Sequence, residues 1–217
     1  MTILLRQESL ILLINIFVKN SNHVVKKDQT EHIIKETAKK LFFKEGRFNA
    51  TTQEIADAAG VNRTLINYYF RSRNNLFQIV LEEARKIDEQ RAKSVMFSDL
   101  DFKDKISDFI EFSLEMNLEY PYLESYIVSQ MNQGLCYKRE NIKEETALFY
   151  ADVEKAMAKG LIEEMEPIQF LLNMISLINF PMAMRPLIQD NLHISNEEYK
   201  RILKERKAII LKTLFKH

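Results

Sequence analysis

A chain of 217 residues, 46% of them apolar, is long enough to bury a sizeable core as one large domain or two small ones, so a packed globule is expected. Four glycines, four prolines and no tryptophan leave too few turn residues for a many-stranded sheet, and the predicted class is all-α. Thirty-one Lys and Arg balance thirty-one Asp and Glu, but residues 24–80 hold ten basic against six acidic side chains and residues 81–217 hold nineteen against twenty-four. A small basic head on a mildly acidic body suits a nucleic-acid partner.

The single cysteine, Cys136, excludes an intrachain disulfide and fits a reducing cytoplasm. It follows Gly134 at a helix break, where a thiol is either a redox sensor or passive, and no second cysteine is there to resolve an oxidised form. His23, His32, His193 and His217 are scattered without an i, i+4 pair, so neither metal nor cofactor is expected. No glycine-rich phosphate loop, nucleophile elbow or His-carboxylate motif stands out, so no catalytic site is assigned.

Taken in chain order, residues 1–24 form an extension. Its apolar run Leu10–Val18 is too short to span a bilayer, and "NSNHVV" offers no small-x-small cleavage site. The extension reads as an extra helix, an upstream start not used in the cell, or a membrane contact. A first helix is predicted over 29–44, with Ile34, Ala38, Leu41 and Phe42 on one stripe and Gly46 placed for a left-handed cap. Thr51 and Glu54 have capping-box spacing, so a second helix starts there and stops at Gly60, after Ile55, Ala56 and Ala59. Asn62 is the next N-cap, giving a short helix over 63–70 with Ile66 and Phe70 inward, Val61 plugging the turn, and Arg63, Thr64, Asn67 and Tyr68 outward. Ser72 caps a longer fourth helix whose packing side is Leu76, Phe77, Val80, Leu81 and Ala84. Further helices are predicted over 102–118, 121–133, 140–158, 167–189 and 197–215. The charge run "KRENIKEE" at 138–145 reads as a solvated helix start.

Two short helices joined by a tight turn can place one of them in the major groove while the other holds phosphates. Thr51 has a hydroxyl for a phosphate beside the backbone N–H groups of the second helix. Arg63, Thr64, Asn67 and Tyr68 can reach base edges, Asn suiting adenine and Arg guanine, and Tyr69 and Arg73 can hold flanking phosphates. Leu65 either meets a thymine methyl or packs at the rim.

The stretch "TEHIIKETAKKLFFKEGRFNATTQEIADAAGVNRTLINYYFRSRNNLF" resembles the N-terminal domain of TetR-family transcriptional regulators over roughly residues 30 to 80. The likeness rests on "A..LF...G", "T..EIA..AGV", "YYF.S" and the Leu and Phe opening the fourth helix. It implies a helix-turn-helix domain at 25–72 and a helical ligand-binding and dimerisation domain at 73–217, connected by a helix over 73–96. It also implies a ligand-released repressor on a palindromic operator, dimerising through the helices at 167–189 and 197–215. Asn67 stands where the family has Tyr, and Arg73 where it has Lys, so the operator does not carry over.

In the body, aromatic and methionine side chains suit a pocket for a small apolar or amphipathic molecule, although most are equally suited to core. The pocket candidates are Phe109, Phe112, Met116, Tyr126, Met131, Phe149, Met174 and Phe180, with Arg185 either meeting a ligand carboxylate, making a structural ion pair or lying exposed to solvent. Pro181, in "INFPMAMRP", should bend or interrupt its helix and free a carbonyl. The alternative function is a helical protein–protein adaptor that docks through the N-terminal apolar segment and does not bind DNA.

Overall fold

The computed structural model describes residues 29–132 and 142–216, and among them every regular element is a helix. The expectations for residues 1–24, for Cys136 and for the first half of the charge run at 138–145 lie outside the described residues. Contacts divide the chain into a head, residues 29–41 with 49–81, and a body, residues 42–48 with 82–216.

The first helix, α1, runs over 29–39 and continues into a π-helical turn, Lys40–Lys44, where a regular helix was expected. The wider turn coincides with Leu41, Phe42 and Phe43, three consecutive side chains that are all at most 4% exposed. A regular helix turns each successive residue by about 100° and would carry one of such a run away from the core. Gly46 takes φ 70°, the left-handed value expected of the cap.

The second helix, α2 (Thr52–Ala59), opens on the predicted capping box. Glu54 N–H donates to Thr51 Oγ1 at 3.2 Å, and Thr51 N–H donates to Glu54 Oε2 at 2.7 Å. It closes at Gly60, φ 65°, whose N–H reaches the Ala56 and Asp57 carbonyls. Asn62 caps α3 (Arg63–Phe70) by accepting from Thr64 N–H at 2.9 Å, and Ser72 Oγ accepts from Asn75 N–H at the start of α4 (Arg73–Met96). Ile55, Ala56, Ile66, Phe70, Leu76, Phe77 and Val80 are at most 2% exposed. At about 1.5–3 kcal/mol for each large side chain buried, this face outweighs the weak intrinsic stability of two eight-residue helices. The opening turns of α4, with Leu76 through Leu81, cluster by contacts with the head.

The body holds α5 (Phe102–Glu119), α6 (Leu123–Asn132), α7 (Ile142–Ala158), α8 (Pro167–Ala183), α9 (Arg185–Leu192) and α10 (Asn196–Leu214). Helix α8 is central, packing on α5, α6, α7, α9 and α10. Its Phe170, Met174 and Ile178 join Ile106, Ile110, Val153 and Ile210 in the core. Phe102 stands 5.6 Å from Phe170 and 5.9 Å from Phe215, ring centre to ring centre.

The expected single helix over 167–189 is two, α8 and α9, meeting at 63°. Pro181 lies inside α8 without ending it. A proline there leaves the carbonyl four residues earlier, on Leu177, without its usual donor, and Arg206 Nη2 on α10 supplies one at 2.8 Å. Pro186 makes the break: a continued helix would need an N–H at that position for the Met182 carbonyl, and proline has none. Among the described residues no single helix is long and apolar enough to cross a membrane.

Candidate nucleic-acid interface and body cavities

Helix α3 presents Arg63, Thr64, Asn67 and Tyr68 to solvent as one exposed surface, with Tyr68 60% exposed, while Ile66 and Phe70 anchor the opposite side. Leu65 is half-buried at the edge, with part of its side chain accessible. The rings of Tyr68 and Tyr69 meet edge to face at 5.1 Å, and Tyr69 is half-buried. The Thr64 hydroxyl donates to Asn62 Oδ1 at 2.7 Å and the Thr51 hydroxyl to Glu54 Oε2 at 2.8 Å. Both hydroxyls are therefore engaged by their own caps, and each would have to turn to donate to a phosphate or base.

Arg73, expected as a flanking phosphate ligand, is half-buried at the start of α4. Its Nε donates to the Ala50 carbonyl at 3.2 Å and its guanidinium lies 5.2 Å from the centre of the Phe77 ring. The side chain braces the segment leading into α2 against α4, so part of its charge serves the fold. Sequence reasoning missed Arg71, which is exposed and takes φ 65° and ψ −41° directly after α3. The turn closes with Ser72 N–H on the Phe70 carbonyl at 2.7 Å, a tight three-residue turn that a non-glycine residue adopts at a cost. The only signal in the sequence was the shortness of "RS" between two helices.

A cavity of about 240 Å³ opens in the body between α4, α5, α7 and α8. Phe109, Phe149 and Met174 of the predicted set line it, joined by Met96, Phe102 and Leu171, which sequence reasoning had not singled out. Met116 lines a second cavity of about 100 Å³, together with Ser113, Asn117 and Glu124, and Phe109 belongs to both. Phe112 is absent from both linings and has its ring 5.7 Å from the Arg91 guanidinium. Tyr126 packs on Phe48 at 5.0 Å, and Met131 and Phe180 are about 60% exposed.

Arg185 likewise lies outside the cavities. It is buried, donating to Gln189 Oε1 at 2.9 Å and Asn196 Oδ1 at 3.1 Å, with its guanidinium 5.5 Å from the Tyr199 ring centre. It ties α9 to the start of α10 through neutral acceptors instead of an ion pair. Burial pushes the Tyr199 hydroxyl above its ordinary pKa, against the opposing pull of Arg185 and Arg206. The neutral hydroxyl donates to the Pro181 carbonyl.

The charged groups around the larger cavity are partnered. Lys93 sits 3.0 Å from both Glu89 and Glu145, whose hydrogen bonds raise its pKa. Asp152 bridges Lys105 at 3.3 Å and Lys155 at 3.2 Å. Burial would raise the Asp152 pKa, but the hydrogen bonds from Lys155 and Lys105 outweigh it and hold the carboxyl below its ordinary value.

Residues 34–80 match the family model described as bacterial regulatory proteins, tetR family. The N-terminal head is a TetR-family DNA-binding domain. Over a longer stretch, the chain is 26% identical across 143 residues to the HTH-type transcriptional repressor NicS of Pseudomonas putida, an alignment covering 63% of this chain and 68% of that protein. The fold is also that of solved TetR regulators. KstR2 of Mycobacterium tuberculosis, titled a ketosteroid transcriptional regulator, superposes with TM-score 0.62 at 14% identity, over 86% of this chain and 95% of that one. PfmR of Thermus thermophilus does so with TM-score 0.56 at 17% identity, over 82% of this chain and 97% of that one. A TetR head on a helical body is thus the architecture of the chain, and its class of work is DNA-binding transcriptional regulation.

Proposed function

We propose that the chain is a homodimeric repressor that binds a palindromic operator through α3 and releases it when a small apolar or amphipathic molecule fills the body. The observation that carries this reading is the exposed surface of Arg63, Thr64, Asn67 and Tyr68 on a helix fixed by buried Ile66 and Phe70, inside a TetR-family domain. These side chains read base edges, and Tyr69, Thr51 and the N-terminus of α2 hold phosphates. Arg73 keeps α2 in register with α4.

Dimerisation is assigned to α8 and α10. Ile168 and Leu172 are 40% and 48% exposed at i and i+4 on α8, and Ile209 is 49% exposed on α10, so burying them against a second copy removes apolar surface from water. Two heads on one palindrome bind far more tightly than one. A ligand with greater affinity for the conformation that cannot grip the operator shifts the population towards it, and α4, continuous from head to body, is the element that moves. The protein acts in the cytoplasm as a regulator and not as an enzyme.

The test is selection of random duplexes by the purified protein, followed by binding at several salt concentrations. An enriched palindrome bound by a dimer, with affinity falling steeply as salt rises, is the expected outcome. No enrichment by folded protein at any salt would favour a helical adaptor instead.

A further inference from the structure

Two of the body cavities share a wall. Phe109 of α5 and Ile175 of α8 line both the 240 Å³ cavity and its 100 Å³ neighbour. The two chambers differ in chemistry. The larger is walled by Met96, Phe102, Phe149, Leu171 and Met174, whereas the smaller carries Ser113, Asn117, Glu124, Asn179 and Arg85. Asn179 Nδ2 donates to Glu124 Oε1 at 3.2 Å, so that end already holds a hydrogen-bonding pair. Each chamber alone is smaller than the ~300–1,000 Å³ of ordinary small-molecule sites, and joining them brings the space into that range.

Resting on the ligand-release reading above, we infer that the two cavities form one bipartite site, divided by the Phe109 side chain. Its ligand is an elongated neutral amphiphile, with a hydrocarbon body in the larger chamber and a hydroxyl or amide end in the smaller. Phe109 is the specificity-determining residue. It is only partly buried and reaches both spaces, so a change of its rotamer joins them without moving a helix. Neutrality follows from the ion pairs. Lys93 is engaged by Glu89 and Glu145, and Lys105 by Asp152, so a carboxylate or ammonium on the ligand must compete with a resident group of its own sign. In the smaller chamber one guanidinium and one carboxylate stand with two amides and a hydroxyl, a set suited to a neutral donor and acceptor.

The experiment measures binding of straight-chain 1-alkanols from six to twelve carbons to the full-length protein by calorimetry, beside the carboxylate and primary amine of ten carbons. In the wild type the expected gain of about fourfold per methylene stops once the larger chamber is full. In Phe109→Ala the gain continues to longer chains. The ten-carbon alkanol binds at least tenfold more tightly than either charged analogue, and Asn117→Leu removes most of that preference. Circular dichroism confirms that each variant folds, and Phe109→Leu, an apolar replacement of smaller reach, should fall between the wild type and Phe109→Ala.

The same chain-length dependence in wild type and Phe109→Ala overturns the shared site, as does preferential binding of a charged analogue or the failure of every alkanol to bind. Operator release is followed in parallel. Alkanol binding with the predicted breakpoint but no release sinks the ligand-released repressor and leaves the bipartite site standing, whereas release by an unrelated compound with no alkanol binding does the reverse.

Discussion

Asn67 and Arg63 owe their proposed role to position. They project from a helix whose opposite side is fully buried, so truncating either leaves the packing of the head intact and removes only what faces the groove. Asn67→Ala and Arg63→Ala should each weaken binding to the selected operator by about 1–3 kcal/mol per lost base contact while leaving binding to scrambled duplex nearly unchanged, as read by competition titration. Arg71 poses the reverse case, a side chain held where the backbone prefers none, at φ 65°. Arg71→Gly should raise the stability of the head by about 1 kcal/mol in denaturant unfolding, since relief of strain exceeds the entropy that glycine loses. The left-handed glycines separate two further costs. A Cβ at Gly60 would meet nothing within 4 Å, so Gly60→Ala should lose only the about 1–2 kcal/mol of the backbone conformation. A Cβ at Gly46 would stand 3.1 Å from three Tyr122 ring atoms as well, so Gly46→Ala should lose more in the same assay.

Among the elements, α8 shows how a helix accommodates an internal proline. Pro181 removes the donor for the Leu177 carbonyl, and Arg206 replaces it from α10 with a charged hydrogen bond that also fastens the two helices together. Arg206→Leu should therefore destabilise the wild type by about 1–3 kcal/mol, the usual cost of abandoning a buried acceptor. In a Pro181→Ala background the backbone N–H returns and the loss should shrink, so a double-mutant cycle of unfolding free energies detects the coupling. Helix α9 shows the complementary case. Pro186 offers the Met182 carbonyl no N–H, the Met184 N–H reaches it from within the turn instead, and the chain bends by 63° and is refastened by Arg185 to Gln189 and Asn196.

At the scale of the whole molecule, the exposed α8 side chains Ile168 and Leu172 line neither cavity and fit a self-complementary interface. Leu172→Glu should turn the dimer into a monomer in sedimentation and reduce operator affinity by about 10²–10⁴-fold, the avidity that a second tethered head supplies. Far-ultraviolet circular dichroism should be unchanged, because Leu172 is half-exposed and outside the body core.

By itself the sequence determined the all-α class, both caps of the reading hairpin, the inward and outward sides of α3, and the carbonyl freed by Pro181. All of these depend on residues within a few positions of one another, where helical periodicity and hydrogen-bond reach act directly. Arg73, Arg185, the π turn at Lys40–Lys44 and the α8–α9 break were decided at longer range. Arg73 reads in the sequence as a flanking phosphate ligand, and only the fold brings the Ala50 carbonyl, twenty-three positions away, within reach of its Nε. Arg185 found its neutral acceptors on two helices. Of the predicted pocket, Phe109, Phe149 and Met174 line the large cavity and Met116 the small one, while Phe112, Tyr126, Met131, Phe180 and Arg185 are elsewhere. A cavity is the space that packed helices fail to fill, so composition names candidates for its wall and only tertiary packing assigns them.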